Sequence, residues 1–212
     1  MTAVLMIGDT VRNPELRHEV PLGIPDPFVY AEVDGRRIVV VNSMEAVRVE
    51  ALGTGLEVRP TEEFGADEIR RSGVDPHEAA RQLNLRTVQG LGIERATVPR
   101  GFPLGHADAL RAAGIELTVD QELFDGRRRR KTELELAGIR RAQKAADAGI
   151  AVAREALRRA ERANGALTLD GETLTCELLK EHIQAEFLRN GALAEEMIVS
   201  HGPQTAIGHD MG

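Results

Sequence analysis

Two of the chain's six histidines, His201 and His209, stand eight residues apart in the segment from Ile198 to Gly212, IVSHGPQTAIGHDMG. Gly202, Pro203 and Gly208 predict sharp bends here, because glycine reaches backbone angles closed to other residues and proline fixes its own φ. Loops at strand ends are frequent seats of catalytic groups. An imidazole, whose pKa lies near neutrality, can shuttle a proton there or donate a hydrogen bond to developing charge. Both histidines are therefore candidates, His209 ahead of His201. They cannot complete a metal site by themselves, since no third ligand stands nearby at a recognisable spacing.

Other chemistries find little support. The only serines are Ser43, Ser72 and Ser200, and no G-x-S-x-G elbow surrounds them. Cys176 lies among leucines in a predicted helix and reads as a buried structural thiol. His18, His77 and His106 have polar neighbours and read as surface histidines. Gly90 and Gly92 begin like a dinucleotide fingerprint, but Arg95 occupies the third glycine position and removes that reading. The run Arg127 to Arg130 suggests a phosphate patch. As a charge run at a change of composition it reads better as a solvated linker whose arginines pair with nearby acids.

The chain of 212 residues is 42% hydrophobic, enough for one large domain or two small ones. A net charge of −7 argues against nucleic-acid binding, which needs excess Lys and Arg to neutralise phosphates. The single cysteine cannot form an internal disulfide and fits a reducing, cytoplasmic setting. The apolar run near the N-terminus is too short for a signal-peptide core or a membrane span, so a soluble protein without a membrane partner is expected.

These candidates need elements to hold them. Phe28 to Asn42 sets two β-rich runs around Asp34-Gly35, a dipeptide that accepts the angles of a tight hairpin. Asp75, Pro76 and Glu78 supply the cap, first-turn proline and acid of a short helix. A strand near RATVP, a helix through LGHADALRAAG and a strand IELTV follow. This alternation predicts an α/β domain over residues 1–125. After Phe124 the pattern changes. Thr132 and Glu135 form a capping box, and Asn164-Gly165 a stop, for a helix of about 30 residues, or roughly 45 Å. Ile139, Ala142, Ala146, Ile150, Ala153, Leu157 and Ala160 form its apolar stripe. A second helix is expected from Thr173 to Arg189 with Leu174, Leu178, Leu179, Ile183 and Phe187 inward, and then a strand EMIVS.

The order of these segments resembles the creatinase, prolidase and aminopeptidase P family of metallopeptidases. Arg128 to Ala142, RRRKTELELAGIRRA, is similar to the Arg-x-x-Lys-(Ser/Thr)-x-x-Glu opening of that family's catalytic domain. The long helix, the Gly-x-Thr element in GETLTCELL, a strand and a segment close to GPQTAIGH follow in the family's order. The first 125 residues look like its smaller N-terminal domain, with IELTVDQEL approaching the linker. The resemblance implies an α/β fold: a creatinase-type domain at 1–125, then at 126–212 the first helices and strand of a truncated pita-bread domain.

The resemblance also implies two-metal hydrolysis that removes an N-terminal residue ahead of proline. Its two divalent ions would be Mn²⁺ first, with Co²⁺, Zn²⁺ or Fe²⁺ as alternatives. The family's five ligands, two Asp, one His and two Glu, lie downstream of the histidine segment, so this chain alone is expected to bind no metal and to be inactive. His209 matches a family histidine that contacts substrate near the scissile bond. His201 replaces a small residue, and its role stays open. The implied partners are a peptide with proline at its second position and a second copy of the chain, as homodimers are frequent in the family. A non-catalytic binding module of the same fold, or a prolidase- or creatinase-type hydrolase, are the alternatives. Truncation would leave an apolar face of the second region exposed.

Overall fold

The computed structural model describes residues 2–163 and 165–212. The chain divides into two compact units, Met1–Lys131 and Thr132–Gly212.

The first unit begins with β1 (Ala3–Gly8), whose six residues are all buried. After α1 (Pro14–Glu19), the strands β2 (Phe28–Val33) and β3 (Arg36–Val41) form the expected hairpin. Its turn is made by Asp34 and Gly35 at φ of +51° and +77°, the left-handed pair that matches strand twist. Next come α2 (Ser43–Glu50), β4 (Glu57–Pro60), a 3₁₀ turn, α3 (Ala66–Ser72) and α4 (Pro76–Gly90). Asp75 caps α4, its Oδ1 accepting from the N–H groups of His77 and Glu78 at 3.0 and 3.1 Å. The helix runs for 15 residues, longer than the short one expected. β5 (Arg95–Val98), α5 (Leu104–Ala112), β6 (Glu116–Val119) and α6 (Gln121–Arg129) complete the unit.

The six strands form one mixed sheet in the order β4-β3-β2-β1-β5-β6. The β1-β2-β3 pairs are antiparallel, and the outer pairs β3-β4, β1-β5 and β5-β6 are parallel. Alternate side chains feed two cores. Leu5, Ile7, Val29 and Val40 pack with Val88 of α4 and Leu110 of α5. Val4, Met6, Tyr30 and Val39 pack with Leu16 of α1, Val49 of α2 and Phe124 of α6. The unit is thus a three-layer α/β/α sandwich.

The arginine run is not a linker. Arg127 to Arg129 form the last turn of α6, where cations complement the helix dipole. The pairing with acids holds: Arg127 Nη1 reaches Glu32 Oε1 at 2.6 Å and Glu19 Oε1 at 3.2 Å, and Arg128 lies 3.6 Å from Glu15. The Tyr30 hydroxyl sits between the two glutamates, 2.8 Å from Glu32 and 3.1 Å from Glu19, and accepts from Arg37 Nε at 3.3 Å. Burial pushes the Glu32 carboxyl up, but hydrogen bonds from Arg127 and Tyr30 and the charges of Arg127 and Arg37 bring it below the ordinary value.

The second unit opens with α7 (Glu133–Arg159), 27 residues long, behind the expected capping box. Thr132 Oγ1 accepts from the Glu135 N–H at 3.2 Å, and the Thr132 N–H donates to Glu135 Oε2 at 2.7 Å. The helix ends earlier than the sequence suggests. Ala160 is extended, and β7 (Glu161–Ala163), β8 (Ala166–Leu169) and β9 (Glu172–Thr173) form a small antiparallel sheet. Of the expected Asn164-Gly165 stop, Asn164 lies outside the described residues. α8 (Cys176–Arg189) starts later than expected, because Thr173 belongs to β9 and Thr175 is the cap.

The buried face of α7 is also shifted. Ala145, Gly149 and Ala156 are buried, whereas Ile139, Ile150 and Leu157 of the expected stripe are 51%, 57% and 52% exposed. Gly149 sets the packing: a Cβ there would lie 2.4 Å from Phe187 Cε1 and 3.0 Å from Ile183 Cγ2 on α8. Leu179, Ile183 and Ala156 join Leu169 of the ribbon in a third core.

Three outcomes follow. Arg127→Ala leaves two carboxylates half-buried around Tyr30 without their main cation, and should cost about 2 kcal/mol. Tyr30 is the chain's single tyrosine, so its fluorescence during urea unfolding reads this unit directly; a change under about 0.5 kcal/mol would refute the account. Because the folded Glu32 pKa is depressed, its contribution is present above the unfolded pKa, about 4.3, and is lost as pH falls through the lower folded value. Arg127→Ala should flatten that acid slope, and parallel slopes for the two proteins would argue against it. Gly149→Leu should separate α7 from α8 at a cost of about 2 kcal/mol, read as faster hydrogen exchange along α8.

Candidate functional site

The segment carrying the two histidines folds back on itself in the second unit. Residues 196–200 do not form the expected strand: their single ladder-like bond runs from the Val199 N–H to the Met211 carbonyl at 3.3 Å. A β-rich run needs a neighbouring backbone, and one bond does not make a ladder. A 3₁₀ turn, Gly202–Ala206, follows. It is closed by the Thr205 hydroxyl donating to the Gly202 carbonyl at 2.8 Å, and the His201 N–H donates to Gln204 Oε1 at 3.4 Å. Beyond it the Gly212 N–H donates to Asp210 Oδ1 at 2.9 Å, and Lys180 Nζ of α8 donates to the Gly212 carbonyl at 3.2 Å.

The two candidates part company here. His201 lines a cavity of about 740 Å³ together with Arg162, Thr173, Cys176 and Glu177. His209 is exposed and away from that cavity, at φ of +62°. Left-handed backbone is uncommon for a residue with a Cβ, and such positions cluster where a side chain must be held in a set direction.

The cavity's chemistry centres on the first turn of α8. Thr175 caps the helix, accepting from the Leu178 N–H at 3.2 Å. Backbone and Thr175 hydrogen bonds hold the Glu177 carboxyl below its ordinary range, with smaller help from the charges of Lys180 and His201. An ionised carboxylate beside an imidazole can receive a cationic group and orient the ring N–H. Cys176 is buried, as expected, and brings no reactive thiol to the surface. Among the other histidines, His77 is exposed. His106 departs from the surface reading: it is half-buried with Nδ1 3.3 Å from Asn84 Nδ2, and burial lowers its pKa, with Arg81 adding to the effect.

Glu177 and Arg162 were not legible as site residues. The signal for Glu177 was the acid two residues after a Thr cap, hidden by placing the helix start at Thr173. Among the described residues no group of three or more His, Cys, Asp or Glu side chains is arranged to hold a metal ion. The donor set of the described residues does not fit a two-metal centre.

No family model and no curated protein matches the sequence. Solved structures do. A prolidase from Pyrococcus horikoshii OT3 aligns with 100% of this chain and 51% of its own, at TM-score 0.64 and 15% identity. An Xaa-Pro dipeptidase from Bacillus anthracis aligns with 98% of this chain and 50% of its own, at TM-score 0.67 and 14% identity. An X-Pro aminopeptidase from Thermotoga maritima MSB8 aligns with 90% and 47%, at TM-score 0.58 and 14% identity. The chain spans about half the length of each of these proteins. It has the mixed α/β fold of the N-terminal portion of prolidases and Xaa-Pro aminopeptidases.

Proposed function

We propose that the protein to which this chain belongs is an Xaa-Pro-type metallo-aminopeptidase. The observation that carries the reading is the alignment of nearly the whole chain with prolidase and X-Pro aminopeptidase structures at TM-scores of 0.58 to 0.67. In this reading the first compact unit, which contains residues 1–125, is the smaller N-terminal domain. The second, within 126–212, opens the catalytic domain. The substrate is a peptide with proline at its second position, the protein works as a cytoplasmic homodimer, and residues outside these 212 bind two divalent ions, Mn²⁺ first. When bound, the ions supply an activated water and polarise the scissile carbonyl.

The part played by this chain's own residues rests on His209. Its left-handed backbone and exposed ring present an imidazole at the tip of the folded-back segment. From there the ring N–H can donate to the peptide carbonyl as charge develops on its oxygen, or pass a proton to the departing proline nitrogen.

The test uses the product of the complete reading frame, assayed on an Xaa-Pro peptide with Mn²⁺. His209→Asn suits it, because asparagine tolerates the left-handed backbone and removes the imidazole. We expect kcat to fall by on the order of 10²-fold or more, with unfolding unchanged. An unaltered kcat would remove His209 from the mechanism. The 212-residue chain should show no hydrolysis, and robust turnover by it would overturn the placement of the metal ligands elsewhere.

A further inference from the structure

The two edges of the first unit's sheet are finished differently. β4 closes one edge and ends in Pro60, which has no N–H to offer a neighbouring chain, a recurrent guard on sheet edges. β6 closes the other edge with the residues ELTV and no such guard. Its hydrogen bonds show which of its groups are free. The Glu116 N–H donates to the Glu94 carbonyl at 2.9 Å, and the Asp120 N–H donates to the Val98 carbonyl at 3.2 Å. Main-chain groups alternate sides along a strand, so Glu116, Thr118 and Asp120 face β5, whereas Leu117 and Val119 face the open edge. The N–H and carbonyl groups of Leu117 and Val119 have no hydrogen-bond partner among the described residues. Val119 is also 54% exposed. An apolar strand edge with unpaired amides is a template for one more strand.

The spacing of the free groups selects the strand that fits. When a second β6 is set antiparallel about a two-fold axis between the two Thr118 residues, Leu117 stands opposite the partner's Val119, and Val119 opposite the partner's Leu117. Each of these pairs exchanges both of its N–H···O bonds, so no outward group of either strand is left over. The same register lays leucine against valine on one face of the sheet and threonine against threonine on the other, both favourable cross-strand pairs. Glu116 meets the partner's Asp120, a like-charge contact softened by Arg95, which stands directly across from Glu116 on β5. So short a contact, with acids at its ends, makes a reversible dimer rather than an obligate one.

We propose that β6 is a pairing edge through which two copies of this chain join, their sheets continuing across a two-fold axis at Thr118. The inference rests on the sheet of the first unit alone, so its failure leaves the peptidase reading standing.

Sedimentation equilibrium of the 212-residue chain over a concentration series is the test, and the unaltered chain should show a monomer–dimer equilibrium. Thr118 is exposed, so charging it spares the fold. Thr118→Lys and Thr118→Glu each set like charges opposite one another at the axis and should weaken association at least about tenfold, whereas an equimolar mixture of the two should restore it as a heterodimer. Val119→Pro removes an outward N–H that makes no bond within the chain. It should abolish association and leave the urea midpoint, followed by Tyr30 fluorescence, unchanged. A chain that stays monomeric throughout overturns the proposal. So does association that survives Val119→Pro, or a Thr118→Lys and Thr118→Glu mixture no more associated than either variant alone. Should Val119→Pro not fold, the Thr118 pair decides alone.

Discussion

The constraint from which the first unit follows is that β1 is buried along its whole length, between β2 and β5 and beneath both faces of the sheet. A strand apolar on both sides is stable only if each side is covered. Leu5 and Ile7 require one helical layer, and Val4 and Met6 require the other. The helices meet this demand with single large residues at the centre of each layer, Val88 and Leu110 on one face and Leu16 and Phe124 on the other. The polar cluster around Tyr30 is a consequence of the same layering. The ring belongs to the second core, so its hydroxyl emerges at the edge of that core, where Glu19 of α1 and Arg127 of α6 meet it. Tethering two helices to β2 and β3 through one buried phenol fixes their register without adding an unpaired charge to the interior.

The second unit rests on a different constraint, the closeness of two backbones. Gly149 has no side chain, and the Phe187 ring and Ile183 of α8 occupy the space a Cβ would take. Ala145 and Ala156 extend the same low line along α7. A line of small residues brings more atoms into contact than a line of large ones held further apart, so α8 settles on it. The price in exposure is borne by Ile139, Ile150 and Leu157, which share a helical period but face away.

Some of this was legible in the sequence and some was not, for physical reasons that differ by element. The hairpin at Asp34-Gly35, the cap at Asp75 and the capping box at Thr132 and Glu135 are local devices, fixed by a few adjacent residues, and they stand where the sequence puts them. β1 escaped notice because AVLMIG is uniformly apolar, and a strand buried on both faces shows no alternation to detect. The buried line of α7 was misread because periodicity favours the larger residues and is blind to a close approach at glycine. The arginine run was read as a linker, since its partners Glu15, Glu19 and Glu32 are roughly a hundred positions away and invisible to local pattern.

The histidine segment shows the same division within one stretch. Its turns are local, and Gly202, Pro203 and Gly208 announce them. The strand expected before them is a relation between two backbones, and EMIVS has β propensity without a described neighbour to pair with beyond the Met211 carbonyl. With no ladder to hold it, the chain satisfies its polar groups by turning back through Asp210 and Gly212 onto Lys180. That return path separates the two candidates: it leaves His201 on the wall of a cavity beside Glu177 and lifts His209 onto a strained, exposed turn. Sequence spacing ranks His209 ahead of His201 but carries no sign of how differently the two are placed. Their difference arises from backbone hydrogen bonding on either side of them, which turns His201 toward the cavity and leaves His209 exposed.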